Sequence, residues 1–190
     1  MMELVVHAWP GPVPALRDGL FVIGVETSAL RERAREQIRL AARTALAAVL
    51  SVDAGAIAID STPGEAPRIK LAGDEHAIGC SFTHEEGYAL AAINLHGAVG
   101  VDVMRVQDIQ DWDNVARDYL GPEVCAALAA APAGKRAIGF AQAWTRHEAW
   151  LKCHGRQLSE WQAGDEASTG IALRGLPEGL VGHLAMAGAN

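Results

Sequence analysis

Cysteine is scarce in this chain. Cys80, Cys125 and Cys153 are odd in number and irregularly spaced, which gives neither a disulfide framework nor a paired metal-finger pattern. They read as reduced thiols of a cytoplasmic protein. A basic start followed by an apolar core is missing at the N-terminus, and no hydrophobic run is long enough to span a bilayer. A soluble chain with no membrane partner is therefore expected. There is no surplus of positive charge either. The net charge of −7 excludes a general nucleic-acid binder, which needs a basic surface, and any polyphosphate ligand must be met by a local basic cluster. Phenylalanine and tyrosine are few beside five tryptophans, and low-complexity tracts and strong repeats are absent. HExxH, paired CxxC, serine-hydrolase and Walker-type motifs are absent too. His147, Glu148, Cys153 and His154 are dense in possible zinc ligands, but without such spacing zinc hydrolysis is not the preferred reading.

Half of the 190 residues are hydrophobic, enough to fill the interior of one domain or of two small lobes sharing a core. Strands are expected at Leu4–Trp9 and Leu20–Val25, then a long helix to about Leu50 with Thr27 or Ser28 as its cap. Short strands follow over Asp53–Asp60 and Arg68–Leu71, then at Gly79–Phe82, Tyr88–Asn94 and Val99–Met104, the last entered through the turn His96-Gly97. A helical stretch from Trp112 to Ala130 is split by Gly121-Pro122, and a second long helix runs from Lys135 to His154 and ends at Gly155. Strands near Ile171–Leu173 and Leu180–Ala187 complete the chain. The order of elements is roughly repeated, a long helix and antiparallel strands in each half.

Two segments carry the chemistry. In Gly100-Val101-Asp102-Val103-Met104, alternation sends the valines one way and Gly100, Asp102 and Met104 the other. An acid on such a strand must be exposed, paired or coordinating, because an unpaired buried carboxylate is very costly. In Trp144-Thr145-Arg146-His147-Glu148-Ala149-Trp150-Leu151-Lys152, the residues Phe140, Trp144 and Leu151 share a face expected to pack on the sheet. Glu148 borders that face, with Lys152 one turn beyond. Each segment has an ordinary explanation, a loop-capping aspartate and a surface Glu–Lys pair worth a few tenths of a kcal/mol. Together and in this order they supply two carboxylates and a lysine, a sparse protein contribution to a Mg²⁺ site that a substrate's phosphates and waters complete.

These segments resemble the signature of the 4′-phosphopantetheinyl transferases of the Sfp type, roughly G-[IV]-D-[IV]-x, a spacer, then W-x-x-K-E-[AS]-x-x-K, with His147 in place of the lysine before the glutamate. Ser81-Phe82-Thr83-His84 resembles the family's [FNS]-[IV]-S-H-[ST] segment, whose hydroxyl–histidine pair contacts coenzyme A; both are expected on a loop, as donors to a phosphate. The resemblance implies an α+β fold of two pseudo-symmetric lobes, residues 1–97 and 98–190, each a long helix packed on an antiparallel sheet, with coenzyme A in the cleft between them. It implies a holo-[acyl-carrier-protein] synthase type of reaction, the transfer of 4′-phosphopantetheine from coenzyme A to a serine of an apo acyl or peptidyl carrier protein of fatty acid, polyketide or nonribosomal peptide biosynthesis. Asp102 and Glu148 would hold Mg²⁺, Lys152 would face the phosphates, and Glu148 would act as base. Thr83, His84, Arg31, Arg35 and Lys152 would bind coenzyme A, and Tyr119, Leu120 and Val124 would meet the carrier. A monomer is expected. The competing expectation is a degenerate relative that binds coenzyme A or a carrier without transfer.

Two departures from the family pattern stand out. A second acid often lies two residues after the strand aspartate, where this chain has Met104, and a basic residue often precedes the proline, where Ala66 precedes Pro67. Compensation is expected from Arg68 or Lys70, or from Arg31, Arg35, Arg39 and Arg43, spaced four apart on the first long helix and interspersed with Glu32 and Glu36, which would otherwise make a solvated, salt-bridged face.

Overall fold

The computed structural model describes residues 3–28, 30–62, 64–164 and 168–187, with the side chains of Glu3 and Arg31 outside the description. In chain order the elements are β1 (Glu3–Ala8), β2 (Leu20–Glu26), α1 (Arg31–Leu50), a 3₁₀ turn (Ala54–Ala56), β3 (Ile57–Asp60), β4 (Arg68–Leu71) and β5 (Asp74–His76). Then come β6 (Gly79–Glu85), β7 (Tyr88–Asn94), β8 (Val99–Arg105), α2 (Trp112–Val115), a π-helical turn (Ala116–Leu120), α3 (Pro122–Ala130), α4 (Ala133–Cys153), β9 (Ile171–Arg174) and β10 (Leu180–Met186). The fold is mixed α+β, as the sequence leads one to expect.

Seven strands form one sheet in the order β6-β7-β2-β1-β9-β10-β8, and β3-β4-β5 form a small antiparallel sheet beside it. The large sheet is antiparallel towards both edges and parallel where β1 pairs with β2 and with β9. Its two edge strands nevertheless meet. Val101 N donates to Ser81 Oγ at 3.1 Å, Thr83 Oγ1 donates to Asp102 Oδ1 at 2.9 Å, and Arg105 N donates to Glu85 Oε2 at 3.0 Å. Side chains of β6 therefore take the place of a backbone ladder, and the sheet curls nearly shut around Leu4, Val22, Leu90, Val101, Val103 and Leu184. This is the valine face that alternation in β8 predicts.

Helix α1 covers the outer face of one half. Ile38, Ala41, Ala42, Ala45 and Leu46 recur at helical spacing and pack with Phe21, Ile23, Ala91, Ile93, Ile57 and Ile69. Helix α4 lies on β8 and β10, and here the expected face is corrected. Thr145, Ala149 and Cys153 meet the sheet, whereas Phe140 and Trp144 turn away to stack on each other and to pack with α2 and α3. The reason is room. A Cβ on Gly100 would lie 2.0 Å from Ala149 O, so this approach tolerates only small residues, and the bulky aromatics fill the outer helical layer.

Other boundaries differ locally. Neither Thr27 nor Ser28 caps α1; its N-cap is Leu30, without a side-chain bond, while Ser28 Oγ accepts from Leu30 N. The first half of the strand expected over Asp53–Asp60 is instead Asp53 and the 3₁₀ turn it caps, with Gly55 N donating to Asp53 Oδ1. The three-residue β5 was not anticipated. The break at Gly121-Pro122 and the helix end before Gly155, which has φ +62°, are as expected.

Candidate active site

A cleft of about 520 Å³ opens between α1 and the C-terminal end of α4. Strand β6 floors it with Cys80 to His84, the connection before β4 supplies Ser61, Thr62 and Gly64 to Pro67, and Gly155 to Leu158 close it after α4. Arg35, Thr83, His84, Glu148 and Lys152, five residues singled out in the sequence, all line this one cleft. The Arg31 side chain falls outside the described residues. Thr83 and His84 stand on strand β6, not on a loop, a correction with a simple cause: β6 continues three residues beyond Phe82 because it remains paired with β7 as far as Glu85↔Tyr88.

Asp102 lies just beneath the cleft floor, 8% exposed. Its Oδ1 accepts from Lys152 Nζ at 2.7 Å and from Thr83 Oγ1 at 2.9 Å, and Lys152 Nζ also donates to Val101 O at 3.1 Å. Lys152 therefore pairs with the strand acid rather than with its own helical neighbour Glu148, so the surface Glu–Lys reading gives way to a largely buried ion pair. Glu148, half-buried, has its carboxyl pushed above the usual carboxylate range, first by burial and then by the charge of Asp102, with Lys152 opposing. Two acids close enough for the charge of Asp102 to act on Glu148, both hard-oxygen donors, suit a Mg²⁺ ion that takes one or two carboxylates and keeps waters or phosphates for the rest. Among the described residues no group of three or more His, Cys, Asp or Glu is placed to hold a metal by itself. The residues fit a shared metal–phosphate site.

The departures resolve structurally. Met104 stands on the Asp102 face of β8, but its side chain packs into the apolar cluster of Ile109, Trp112, Leu120 and Trp144. Neither Arg68 nor Lys70 lines the cleft; Arg68 pairs with Glu65 and Glu75, and Lys70 pairs with Asp60 at 2.8 Å. The cleft's cations are Arg35, Arg39, Lys152 and Arg156, with Arg39 donating to Ser61 Oγ at 3.1 Å and Arg156 lying 5.3 Å from the Trp150 ring. Arg156 was missed in the sequence, although a basic residue directly after the helix-ending Gly155 is a signal that could have found it.

The other polar residues of α4 point elsewhere. His147 lines a separate cavity with Tyr119, Leu120 and Val124, and its Nδ1 is 2.8 Å from Ser168 Oγ. His154 stacks on Trp150, and Cys153 is buried against β10. The geometry thus disperses the His147, Glu148, Cys153 and His154 set. His183, unremarked in the sequence, is opposite Asp102 on β10; its Nδ1 lies 2.8 Å from Thr145 Oγ1, and burial, with Arg146 adding to it, pushes its imidazole down to about 4. Neutral His183 ties α4 to the sheet directly behind the site. The three cysteines are free, and burial pushes the Cys80 thiol at the cleft up to about 12, which leaves it unreactive.

A paired acid and lysine beneath a cleft rimmed with arginines suit the binding of phosphates. Residues 98–175, from the start of β8 through β9, match the family model described as the 4′-phosphopantetheinyl transferase superfamily. The chain is also similar to the 4′-phosphopantetheinyl transferase HetI of Nostoc sp. (strain PCC 7120 / SAG 25.82 / UTEX 2576), 24% identical over 127 residues that make up 67% of this chain and 54% of that protein. The chain thus spans about half the length of the curated relative it matches.

Proposed function

We propose that this protein transfers the 4′-phosphopantetheine group of coenzyme A to a serine of an apo acyl or peptidyl carrier protein, in the manner of the Sfp-type enzymes. The observation that carries the proposal is the convergence of Thr83, His84, Glu148 and Lys152 on one cleft, with Asp102 bonded to two of them. Two lobes divided near residue 97, each with one long helix, α1 or α4, would then hold coenzyme A between them, and we place the reaction in the cytoplasm. No helix among the described residues is long and apolar enough to cross a membrane.

The serine oxygen attacks the phosphorus attached to pantetheine, a new P–O bond forms, and the bond to 3′,5′-ADP breaks. Glu148 takes the serine proton, directly or through a water, and its raised basicity, from burial and from Asp102, suits it to that task. Lys152, at the end of α4, meets the negative charge that gathers on the departing ADP oxygen. Asp102 and Glu148 would hold Mg²⁺, which when bound supplies charge neutralisation at the pyrophosphate. Arg35, Arg39 and Arg156 replace the basic residue missing before Pro67 as partners of the donor's phosphates, and His84 binds the 3′-phosphate end, while the Thr83 hydroxyl, given to Asp102, positions that acid instead. The cavity at Tyr119, Leu120 and Val124, on the far side of α4, is where the carrier docks.

The direct test is intact-mass analysis of a panel of apo fatty-acid, polyketide and peptide carriers incubated with the protein, coenzyme A and Mg²⁺. At least one carrier gains a phosphopantetheine mass, and a chelator abolishes the gain. A panel that stays unmodified with folded protein and metal present refutes the transferase reading.

His84 allows a second test. His84→Ala removes a donor to the 3′-phosphate, and a hydrogen bond to a charged group contributes about 1.5–3 kcal/mol. Affinity for coenzyme A is expected to fall about tenfold or more, while affinity for 3′-dephospho-coenzyme A hardly changes. Calorimetric titration of both ligands decides, and equal losses remove His84 from that role.

A further inference from the structure

We propose that Lys152 is a stand-in cation that occupies Asp102 until the pyrophosphate arrives, so that metal and coenzyme A enter this site together rather than metal first. The proposal rests on the functional reading above and deepens it. Lys152 Nζ is 2.7 Å from Asp102 Oδ1 and also bonded to Val101 O, so the ammonium is seated by two acceptors on β8. The pair is well shielded, with side-chain exposures of 32% for Lys152 and 12% for Asp102. Thr83 donates to the same oxygen, which leaves Asp102 with its charge already answered.

The charge balance around Asp102 leaves little negative charge for a metal. The anions are Asp102 and Glu148, and Lys152 cancels one of them. Met104 adds no third acid, because it stands where one could face the site and packs into an apolar cluster instead. A site with so little uncompensated negative charge attracts a strongly hydrated dication weakly, since Mg²⁺ gives up its waters reluctantly. The pyrophosphate changes both terms. It brings anionic oxygens for the metal and offers Lys152 a second anion within reach of its flexible stem, which frees Asp102. Metal and coenzyme A then raise each other's affinity by the same factor, as binding linkage requires, and Lys152 is the residue that couples them.

The test is titration of the folded protein with Mn²⁺, free ion being followed by electron paramagnetic resonance. The wild type binds Mn²⁺ weakly alone and about tenfold or more tightly with coenzyme A. Lys152→Met binds Mn²⁺ without coenzyme A about tenfold or more tightly than wild type, because a neighbouring positive charge has gone, and coenzyme A then enhances the affinity less. Lys152→Gln keeps a donor for Val101 and loses the charge, so it provides a second variant that retains the local bonding. Adding Asp102→Asn to Lys152→Met cancels the gain. Mn²⁺ affinity that is unchanged or weaker in the folded lysine variants without coenzyme A overturns the proposal. A protein that never binds coenzyme A fails the proposed function instead, while the metal-alone comparison still decides the part played by Lys152.

Discussion

Asp102→Ala and Glu148→Gln are each expected to lower carrier modification by about 10³-fold or more, roughly 4 kcal/mol on the transition-state scale. Asp102 holds Lys152 at 2.7 Å and Thr83 at 2.9 Å, so its loss removes a proposed metal ligand and sets free the lysine that should face the leaving group. Glu148→Gln keeps shape and size and removes only the charge and the basicity. The two variants differ in stability, which separates a role in the reaction from a structural one. In the folded protein the Glu148 carboxyl is held above its ordinary range, by burial first and by Asp102 second. A carboxyl raised on folding contributes stability at low pH that is lost as pH rises through its unfolded and then its folded value. At neutral pH the ionised form is therefore a liability, and Glu148→Gln should melt at or above the wild-type temperature while losing turnover. Asp102→Ala leaves Lys152, which is partly exposed, to turn to solvent, so it should remain folded with a lower melting temperature. Initial rates at saturating coenzyme A, alongside thermal melts, read both effects. Near-normal turnover in either variant would make that residue structural.

Much of this site could be read from the sequence because its parts are local. The alternation of Val99, Val101 and Val103 against Asp102 follows from the period of a strand, and Gly155 ends α4 through a positive φ, which glycine adopts most readily. What the sequence withheld depends on contacts between distant segments. Nothing near Thr83 announces that its hydroxyl reaches Asp102, because that bond exists only where the curled sheet brings its edges β6 and β8 together. The packing face of α4 was misjudged for a related reason. Large apolar residues usually mark the buried stripe, but Gly100 brings the helix so close that Thr145 and Ala149 face the sheet and the aromatics Phe140 and Trp144 go outward to α2 and α3. Arg68 and Lys70, close in sequence to the missing basic residue, are held by Glu65, Glu75 and Asp60, whereas Arg156 reaches the cleft from a remote position in the chain.

Gly100→Ala is the second large effect, and it acts entirely through that close approach. The added Cβ would lie 2.0 Å from Ala149 O and 2.5 Å from Cys153 N, both backbone atoms of α4 that no rotamer change can move. Ordinary contact requires the helix to withdraw from β8 by about 1 Å, at a cost of about 3 kcal/mol for overpacking a well-filled core. For a chain of this size that lowers the melting temperature by roughly 6–12 °C. The same withdrawal carries Glu148 and Lys152 away from Asp102, and a misplacement of about 1 Å at a reacting centre can cost about 10²-fold in rate. Gly134→Ala, near the start of the same helix, is the control. Its Cβ meets nothing within 4 Å, so alanine there should stabilise by about 0.5–1 kcal/mol through helix propensity and leave turnover intact. Calorimetric melts and initial rates of the two variants make the comparison. If Gly100→Ala melts with the wild type and keeps its rate, α4 does not depend on this glycine to set Glu148 and Lys152 over Asp102. If it loses both while Gly134→Ala loses neither, the glycine before the strand aspartate is needed because it lets the helix bring its acid and its lysine within bonding distance of the strand.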